Sequence, residues 1–217
     1  MRAQRQGQTG TVVVLVDSAG ERTMFPDRGA AGELSDVPRD WLQGLGILHA
    51  TSYSFAAEPA TSATLQLMAA AKSAGTVLSL DASSTGLLED LGIARYVEVV
   101  QAVSPAIFFG NASEAALLDL SKPPFSTTLT VVKNGADPTI VRSPDGGSST
   151  VPVTVVDGVR DATGAGDAFA AGFLTAHLAG RSIIEAVHAG HALAAAVLRS
   201  PGAALDAEQL AAPSTLE

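Results

Sequence analysis

The chain alternates between two kinds of hydrophobic segment. Short apolar runs rich in β-branched residues and bounded by Gly, Ser, Asn or Asp predict strands, whereas longer segments with apolar residues at helical spacing predict helices. Strands are predicted at residues 11–17, 21–25, 47–53, 76–81, 106–109, 128–133, 139–142 and 151–156. Helices are predicted at residues 62–73, 87–96, after 111, from about 168 and across 180–198. Strands that alternate with helices favour an α/β sandwich with a mainly parallel central sheet.

Composition narrows the classes of function. The 217 residues suit one domain of ordinary size, and a formal charge of −9 argues against a general nucleic-acid binder. The chain has no cysteine, which excludes a disulfide framework, a thiolate metal site and a cysteine nucleophile. No apolar run approaches the ~20 residues of a membrane span, and the first ten residues hold no hydrophobic segment. We therefore expect a soluble cytoplasmic protein with neither nucleic-acid nor membrane partners.

Residues 161–174, DATGAGDAFAAGFL, carry the most chemical information. Gly164 and Gly166 lack a Cβ, so their backbone N–H groups can approach a ligand closely. The helix that follows presents unpaired N–H groups and a positive dipole end, which together favour an anion. Asp167 then places a carboxylate beside this anion hole. Such a pair suits a base that takes a proton from a hydroxyl while the hole stabilises a transferring group.

This segment resembles the C-terminal signature of the ribokinase-like (PfkB) carbohydrate kinases, which move the γ-phosphoryl group of ATP onto a sugar or nucleoside hydroxyl. The resemblance implies a three-layer α/β sandwich. It also implies that Asp167 is the catalytic base and that the backbone of Gly164, Ala165, Gly166 and Asp167 forms the anion hole. A dinucleotide-binding fingerprint would need its Gly-rich turn after the first strand, and no Walker P-loop is present.

Two upstream segments resemble the nucleotide side of the same family. Asn111 and Glu114 match its Asn-x-x-Glu element, which helps to organise Mg²⁺ and the phosphates, although the same spacing is also a helix-capping box. Lys133, Asn134 and Gly135 match a loop that lies along the phosphates. The family usually has Gly at the position of Pro138 and often an apolar residue at that of Asn134, so the shape of this loop is open.

The C-terminal part of the chain completes the resemblance. His191 falls where many relatives have a polar residue near the adenine, although a His in an Ala-rich helix is more often a packing or solvent-facing residue. Asp161, the carbonyl of Thr163 and the backbone near Gly202 match the ligands of a monovalent cation, which would be K⁺. The resemblance therefore implies ATP and Mg²⁺ as cofactors, with K⁺ as an additional ion.

The resemblance covers nearly all of this chain but only about the last two-thirds of the family fold. We expect residues 1–34 to form a partial lid hairpin and residues 35–217 to form the α/β nucleotide-binding core, with the N-terminal strands and part of the lid missing. The expectation for the isolated chain is poor sugar binding and little catalysis, because positioning supplies much of the rate of phosphoryl transfer. Exposed sheet edges would favour association, such as a homodimer.

Two questions stay open from the sequence. The acceptor is a sugar or a nucleoside, with Arg28 as a candidate contact and a weak lean towards the fructokinase and 2-keto-3-deoxygluconate kinase branch. The alternative to an active kinase is a non-catalytic remnant that acts as a nucleotide-binding or interaction module. Retention of Asp167 favours the kinase, because a remnant does not need a base.

Overall fold

The computed structural model describes residues 7–16, 22–200 and 202. Two sheets are present in these ranges. The first is an antiparallel ribbon of β1 (Thr9–Val16) and β2 (Arg22–Gly29). The second sheet has six strands: β3 (Ile47–Thr51), β4 (Val77–Asp81), β5 (Ile107–Asn111), β6 (Leu129–Lys133), β7 (Thr139–Arg142) and β8 (Ser148–Val151). Six α-helices accompany them: α1 (Ala60–Ser73), α2 (Thr85–Leu91), α3 (Ile93–Val103), α4 (Ala112–Leu118), α5 (Ala165–Leu178) and α6 (Ile183–Leu198).

The six-stranded sheet follows chain order from β3 to β8. The pairs β3–β4, β4–β5 and β5–β6 are parallel, and β6–β7 and β7–β8 are antiparallel. Helices connect the parallel strands, as such crossovers require. The predicted α/β class with a mainly parallel sheet is confirmed.

Helices cover both faces of this sheet. Because successive side chains of a strand point to opposite faces, each central strand contributes to two cores. Phe108 packs with residues of α1, α3 and α4 in one core, and Phe109 packs with residues of α5 and α6 in the other. Both phenylalanines are fully buried. The molecule therefore has three layers. A strand that is buried on both faces has a continuous run of apolar residues in the sequence.

Helices α5 and α6 pack closely along two glycines. A Cβ on Gly172 would lie 2.5 Å from the backbone oxygen of Ala189, and one on Gly190 would lie 2.9 Å from Phe169. The helices can approach this closely only because neither glycine carries a side chain. Both helices belong to the core on one face of the sheet.

Several predicted boundaries are corrected. The helix predicted at 87–96 is two helices, α2 and α3, because Gly92 adopts φ 81° between them. The strand predicted at 151–156 is Ser148–Val151, because a turn at Gly146 brings the serines of the expected loop into the sheet. Helix α5 begins at Ala165 rather than near residue 168. The residues 17–21 between the first two strands lie outside the described ranges.

The ribbon of β1 and β2 carries several exposed apolar side chains. Val13, Leu15 and Phe25 are more than half exposed, and so are Val12 and Met24. Within the described residues, no helix has the length and apolar character needed to cross a bilayer.

Candidate functional site

The main cleft has a volume of about 910 Å³ and lies at the carboxyl edge of the parallel strands. Thr51, Asp81, Asn111 and Lys133 are the last residues of β3, β4, β5 and β6, and all four line it. Carboxyl ends of parallel strands meet at one edge of a sheet, and this edge is the usual ligand site of open α/β folds. The N-terminus of α5 closes the cleft on one side, and Met24 of the ribbon and Tyr53 lie in its wall.

The start of α5 has the geometry expected for an anion hole. Gly164 is the N-cap with φ 78°, a left-handed conformation that suits glycine, and no side chain caps this helix. The amide of Ala165 donates to the carbonyl of Ala162 at 3.3 Å, and the amide of Ala168 donates to Gly164 at 2.8 Å. The amides of Gly166 and Asp167 lie in the first turn, so no residue of the helix stands four positions earlier to accept a hydrogen bond from them. Of the predicted four-residue hole, the amides of Gly166 and Asp167 are therefore the ones best placed to receive an anion.

Lys133 reaches this helix terminus from the sheet. Its Nζ lies 3.3 Å from the position that a Cβ on Gly166 would occupy, and 6.0 Å from the centroid of the Phe109 ring. Lys133 Nζ donates to Asp81 Oδ2 at 2.5 Å. An ammonium beside the first turn of α5 adds positive charge where the helix dipole is already positive. The structure thus brings Lys133 and the predicted anion hole together.

Sequence reasoning missed Asp81 as a site residue. Its Oδ1 accepts a hydrogen bond from the amide of Ser83 at 2.8 Å, and its carbonyl accepts one from the Ser52 hydroxyl at 2.7 Å. The Ser52 hydroxyl also bonds the Tyr96 hydroxyl at 2.6 Å, and burial raises the pKa of Tyr96. The signal was available, since Asp81 is a carboxylate at the carboxyl end of a predicted parallel strand, where ligands bind.

His49 is a partly buried histidine of the central sheet. It lies on β3, where Nδ1 hydrogen-bonds Ser79 Oγ at 3.0 Å and the ring packs edge-on against Phe109. Burial lowers the pKa of His49, and the nearby Asp81 carboxylate opposes this shift. Lys133 adds to the lowering of that pKa, and Asp167 opposes it.

Asn111 and Glu114 form a complete capping box at the start of α4. The Asn111 side chain accepts from the Glu114 amide at 2.9 Å, and Glu114 Oε2 accepts from the Asn111 amide at 2.7 Å. Glu114 is buried, and burial raises the pKa of its carboxyl above the usual range. Both residues line the cleft, so their oxygens suit a hard cation approached through water. In the described ranges, no three His, Asp or Glu side chains converge as a metal site.

The turn after β6 and helix α6 form another part of the cleft wall. Asn134 and Gly135 line the cleft, and Gly135 has φ 62° in that turn. His191 Nε2 hydrogen-bonds Thr139 Oγ1 at 2.8 Å, and its ring lies 5.4 Å from that of Phe169. Burial lowers the pKa of His191, and His188 adds to the effect. Apolar residues continue this wall: Val153, Val155, Val156, Val159, Ala194, Ala195 and Leu198.

The three residues predicted to hold a monovalent cation are adjacent in space. Asp161 Oδ1 accepts from the amide and the hydroxyl of Thr163 at 2.8 Å and 2.7 Å. Asp161 Oδ2 accepts from the amide of Gly202 at 3.2 Å. These bonds connect the loop before α5 to the segment after α6. The carboxylate and nearby carbonyls are oxygen donors of the kind that alkali cations use.

Comparison with known proteins places the chain in a family. Residues 1–210 match the pfkB family carbohydrate kinases. The chain is 29% identical to the 2-dehydro-3-deoxygluconokinase of Bacillus subtilis (strain 168) over 231 aligned positions, which cover 93% of this chain and 67% of that enzyme. It is 29% identical to the ATP-dependent ribose-1-phosphate kinase of Halopiger xanaduensis, covering 94% of this chain and 66% of the relative.

Solved structures agree on the fold. The adenosine kinase from Sinorhizobium meliloti superposes with a TM-score of 0.82 at 24% identity, over 93% of this chain and 64% of that one. A probable sugar kinase from Rhizobium etli gives a TM-score of 0.79 at 23% identity, over 89% of this chain and 61% of the other. The chain thus spans about two-thirds of the length of these proteins. It belongs to the pfkB family of carbohydrate kinases and has a ribokinase-like fold.

Proposed function

We propose that this chain transfers the γ-phosphoryl group of ATP to a hydroxyl group of a sugar or nucleoside. The observation that carries the proposal is the position of Lys133, whose ammonium lies against the first turn of α5 at Gly166 in the same cleft as Asp167. A cation, two amides at a helix N-terminus and a carboxylate make up a site for an anion that undergoes transfer. The family membership supports the same reaction class.

Each part of the cleft has a role in this proposal. The nucleotide lies with its phosphates along Lys133, Asn134 and Gly135 and with its terminal phosphate on the α5 amides. The adenine base of the nucleotide lies against the apolar wall, where His191 is the nearby polar group. This arrangement leaves the end of the cleft at Tyr53 and Met24 for the acceptor.

Asp167 acts as the general base. It takes the proton of the acceptor hydroxyl as that oxygen attacks the γ-phosphorus and the bond to the ADP oxygen breaks. Asp167 is exposed to the cleft, so an acceptor can reach it. The α5 amides and Lys133 stabilise the charge on the phosphoryl oxygens during transfer.

Two cations are part of the proposal. Mg²⁺, when bound, supplies charge neutralisation to the phosphates, and Glu114 and Asn111 would hold it through water because two of their oxygens already form the capping box. K⁺ would be held by the Asp161 carboxylate, the Thr163 carbonyl and the backbone near Gly202. An ion at this place would lie beside the loop before α5 and would stabilise the conformation of the anion hole.

The relatives define the acceptors to test. One acts on 2-dehydro-3-deoxygluconate, another on ribose 1-phosphate, and the first structural neighbour is an adenosine kinase. The experiment incubates the chain with ATP, Mg²⁺ and a panel of candidate acceptors, and identifies the phosphorylated product by mass spectrometry. The panel contains hexoses, pentoses, ribose 1-phosphate, 2-keto-3-deoxy sugar acids and nucleosides. A product that depends on one acceptor supports the proposal. ATP binding with no product from any acceptor would instead support the non-catalytic nucleotide-binding remnant.

We also propose that the ribbon of β1 and β2 lets the chain form a homodimer. Val13, Leu15 and Phe25 are exposed apolar side chains on a two-stranded sheet, which suits association with a second copy of the chain. Light scattering of the purified chain measures this directly, and a monomer at all concentrations would reject the homodimer.

A further inference from the structure

The ion pair between Asp81 and Lys133 differs from the other ion pairs in the described ranges. The Asp81 side chain is 7% exposed and that of Lys133 is 17% exposed. The other two pairs, Lys122–Asp119 and Arg181–Glu185, join highly exposed side chains on single helical turns or loops. Surface pairs of that kind contribute little, whereas a buried charge needs its partner. The buried pair lies inside the proposed phosphate site.

The position of Lys133 explains why it needs an anion. Its Nζ lies 3.3 Å from the Cβ position of Gly166, at the positive end of the α5 dipole, with limited access to water. In the structure, the Asp81 carboxylate supplies that anion at 2.5 Å. A phosphate on the α5 amides would approach the same ammonium. Asp81 and the phosphate are thus two candidate partners for one positive charge.

The two members of the pair differ in their freedom to move. Asp81 ends β4, which is hydrogen-bonded between β3 and β5, and its Oδ1 accepts from the amide of Ser83. Ser83 has φ 72°, a conformation that few non-glycine residues adopt, and its hydroxyl donates to the Asp81 carbonyl at 3.0 Å. The Asp81 carboxylate is therefore held by the Ser83 amide on a backbone that the sheet and the Ser83 hydroxyl keep in place, whereas Lys133 has a flexible four-carbon side chain.

We propose that Asp81 is an internal counter-ion that competes with nucleotide phosphate for Lys133. The inference rests on the proposed function for the identity of the phosphate. When phosphate binds, the Lys133 ammonium moves from Asp81 to the phosphate oxygens, and the fixed Asp81 charge is left facing the cleft. Part of the binding free energy is spent on this exchange. Asp81 is thus a residue that sets the phosphate affinity, and it weakens that affinity in favour of release.

Because of this exchange, we expect Asp81→Asn to strengthen phosphate binding, whereas the loss of a site residue usually weakens it. The amide has nearly the same shape and keeps an oxygen for the Ser83 amide, but it no longer neutralises Lys133. We expect the variant to bind inorganic pyrophosphate about tenfold more tightly, the scale of one charge-assisted hydrogen bond. Asp81→Glu keeps the charge, so its affinity should stay close to that of the wild type. Lys133→Met should lose most of the binding.

The test is a calorimetric titration of the whole chain and these variants with inorganic pyrophosphate. Asp119→Asn is the matched control, because it removes the aspartate of the exposed Lys122 pair and should leave the affinity unchanged. Weaker binding by Asp81→Asn would overturn the proposal and show that Asp81 positions Lys133 for phosphate. Unchanged affinity, or no binding by either the wild type or Asp81→Asn, would overturn it as well.

A second measurement covers the case in which Asp81→Asn unfolds more easily. The unpaired ammonium should then make the folded state more dependent on an anion, so pyrophosphate should raise the melting temperature of Asp81→Asn more than that of the wild type. An equal rise in both proteins contradicts the inference. Neither the titration nor the melting experiment requires phosphoryl transfer. A failed transfer assay together with tighter pyrophosphate binding by Asp81→Asn would therefore reject the proposed reaction and leave this inference standing.

Discussion

Helices α5 and α6 begin in different ways, although both carry an acid at their third helical position. In α6, Glu185 Oε2 accepts from the Ser182 amide at 2.8 Å, and the Ser182 hydroxyl accepts from the Glu185 amide at 3.3 Å. In α5, the equivalent acid is Asp167, and the cap is Gly164, which has no side chain. The α6 acid is used to complete a capping box. The α5 acid has no such partner and remains available to the cleft.

Helix α4 has a complete capping box and also begins at the cleft. Its capping box of Asn111 and Glu114 is complete, as in α6, but it opens into the cleft, as α5 does. A missing side-chain cap alone does not mark a site, since α1 and α3 also begin without one. What distinguishes α5 is the Lys133 ammonium beside its first turn. We therefore expect a ligand site at a helix terminus only where a second charged group faces it.

The largest expected effect comes from the acid of α5. Asp167→Asn should lower kcat about 10²–10⁴-fold, because the proposed general base is lost, while the affinity for an ATP analogue changes little. Glu185→Gln is the matched control at the same position of α6. It should lower stability slightly and leave kcat unchanged. Steady-state kinetics and calorimetry measure both quantities, and an equal loss of binding and turnover in Asp167→Asn would contradict the assigned role.

The packing of α5 on α6 should produce the next largest effect. Gly172→Ala places a Cβ 2.5 Å from the Ala189 backbone oxygen, so the helices must separate. We expect a loss of about 1–3 kcal/mol in the free energy of unfolding. Gly86→Ala on the exposed surface of α2 is the control, since its Cβ would meet nothing closer than 3.8 Å and alanine favours a helix. Urea unfolding compares them, and equal stabilities would show that the close approach of the helices is not needed.

The smallest expected effect separates the two capping boxes. Ser182→Ala and Asn111→Ala should each cost about 1 kcal/mol of stability, because each leaves a helix amide without its cap. Only Asn111→Ala should also weaken the binding of an ATP analogue in the presence of Mg²⁺, since only that box opens into the cleft. The same weakening in Ser182→Ala would mean that capping, rather than the position in the cleft, explains the change.

Local patterns were sufficient for much of the fold and part of the site. The apolar runs of β4, β5 and β6 predicted strands because each is buried on both faces. The capping box at Asn111 followed from spacing alone. The split at Gly92 and the pairing of Ser148–Val151 were not predicted, because they depend on one glycine conformation and on sheet register.

The feature that was hardest to predict is the ion pair in the proposed phosphate site. Asp81 and Lys133 are separated by 52 residues, and nothing local in either segment indicates that their side chains form an ion pair. Their contact follows from parallel strands that end at one edge, which requires knowledge of the sheet order. The surroundings of His49 depend on the sheet order as well, because the charged groups that influence its pKa belong to β4, β6 and α5.

We propose above all that the N-terminus of α5 and Lys133 together bind the terminal phosphates of ATP. The decisive experiment is a calorimetric titration of the purified chain with a non-hydrolysable ATP analogue and Mg²⁺, with and without K⁺. We expect saturable binding at one site per chain that is lost in Lys133→Met and kept in Asp167→Asn. Binding that survives Lys133→Met unchanged, or no binding by the wild type, would contradict it.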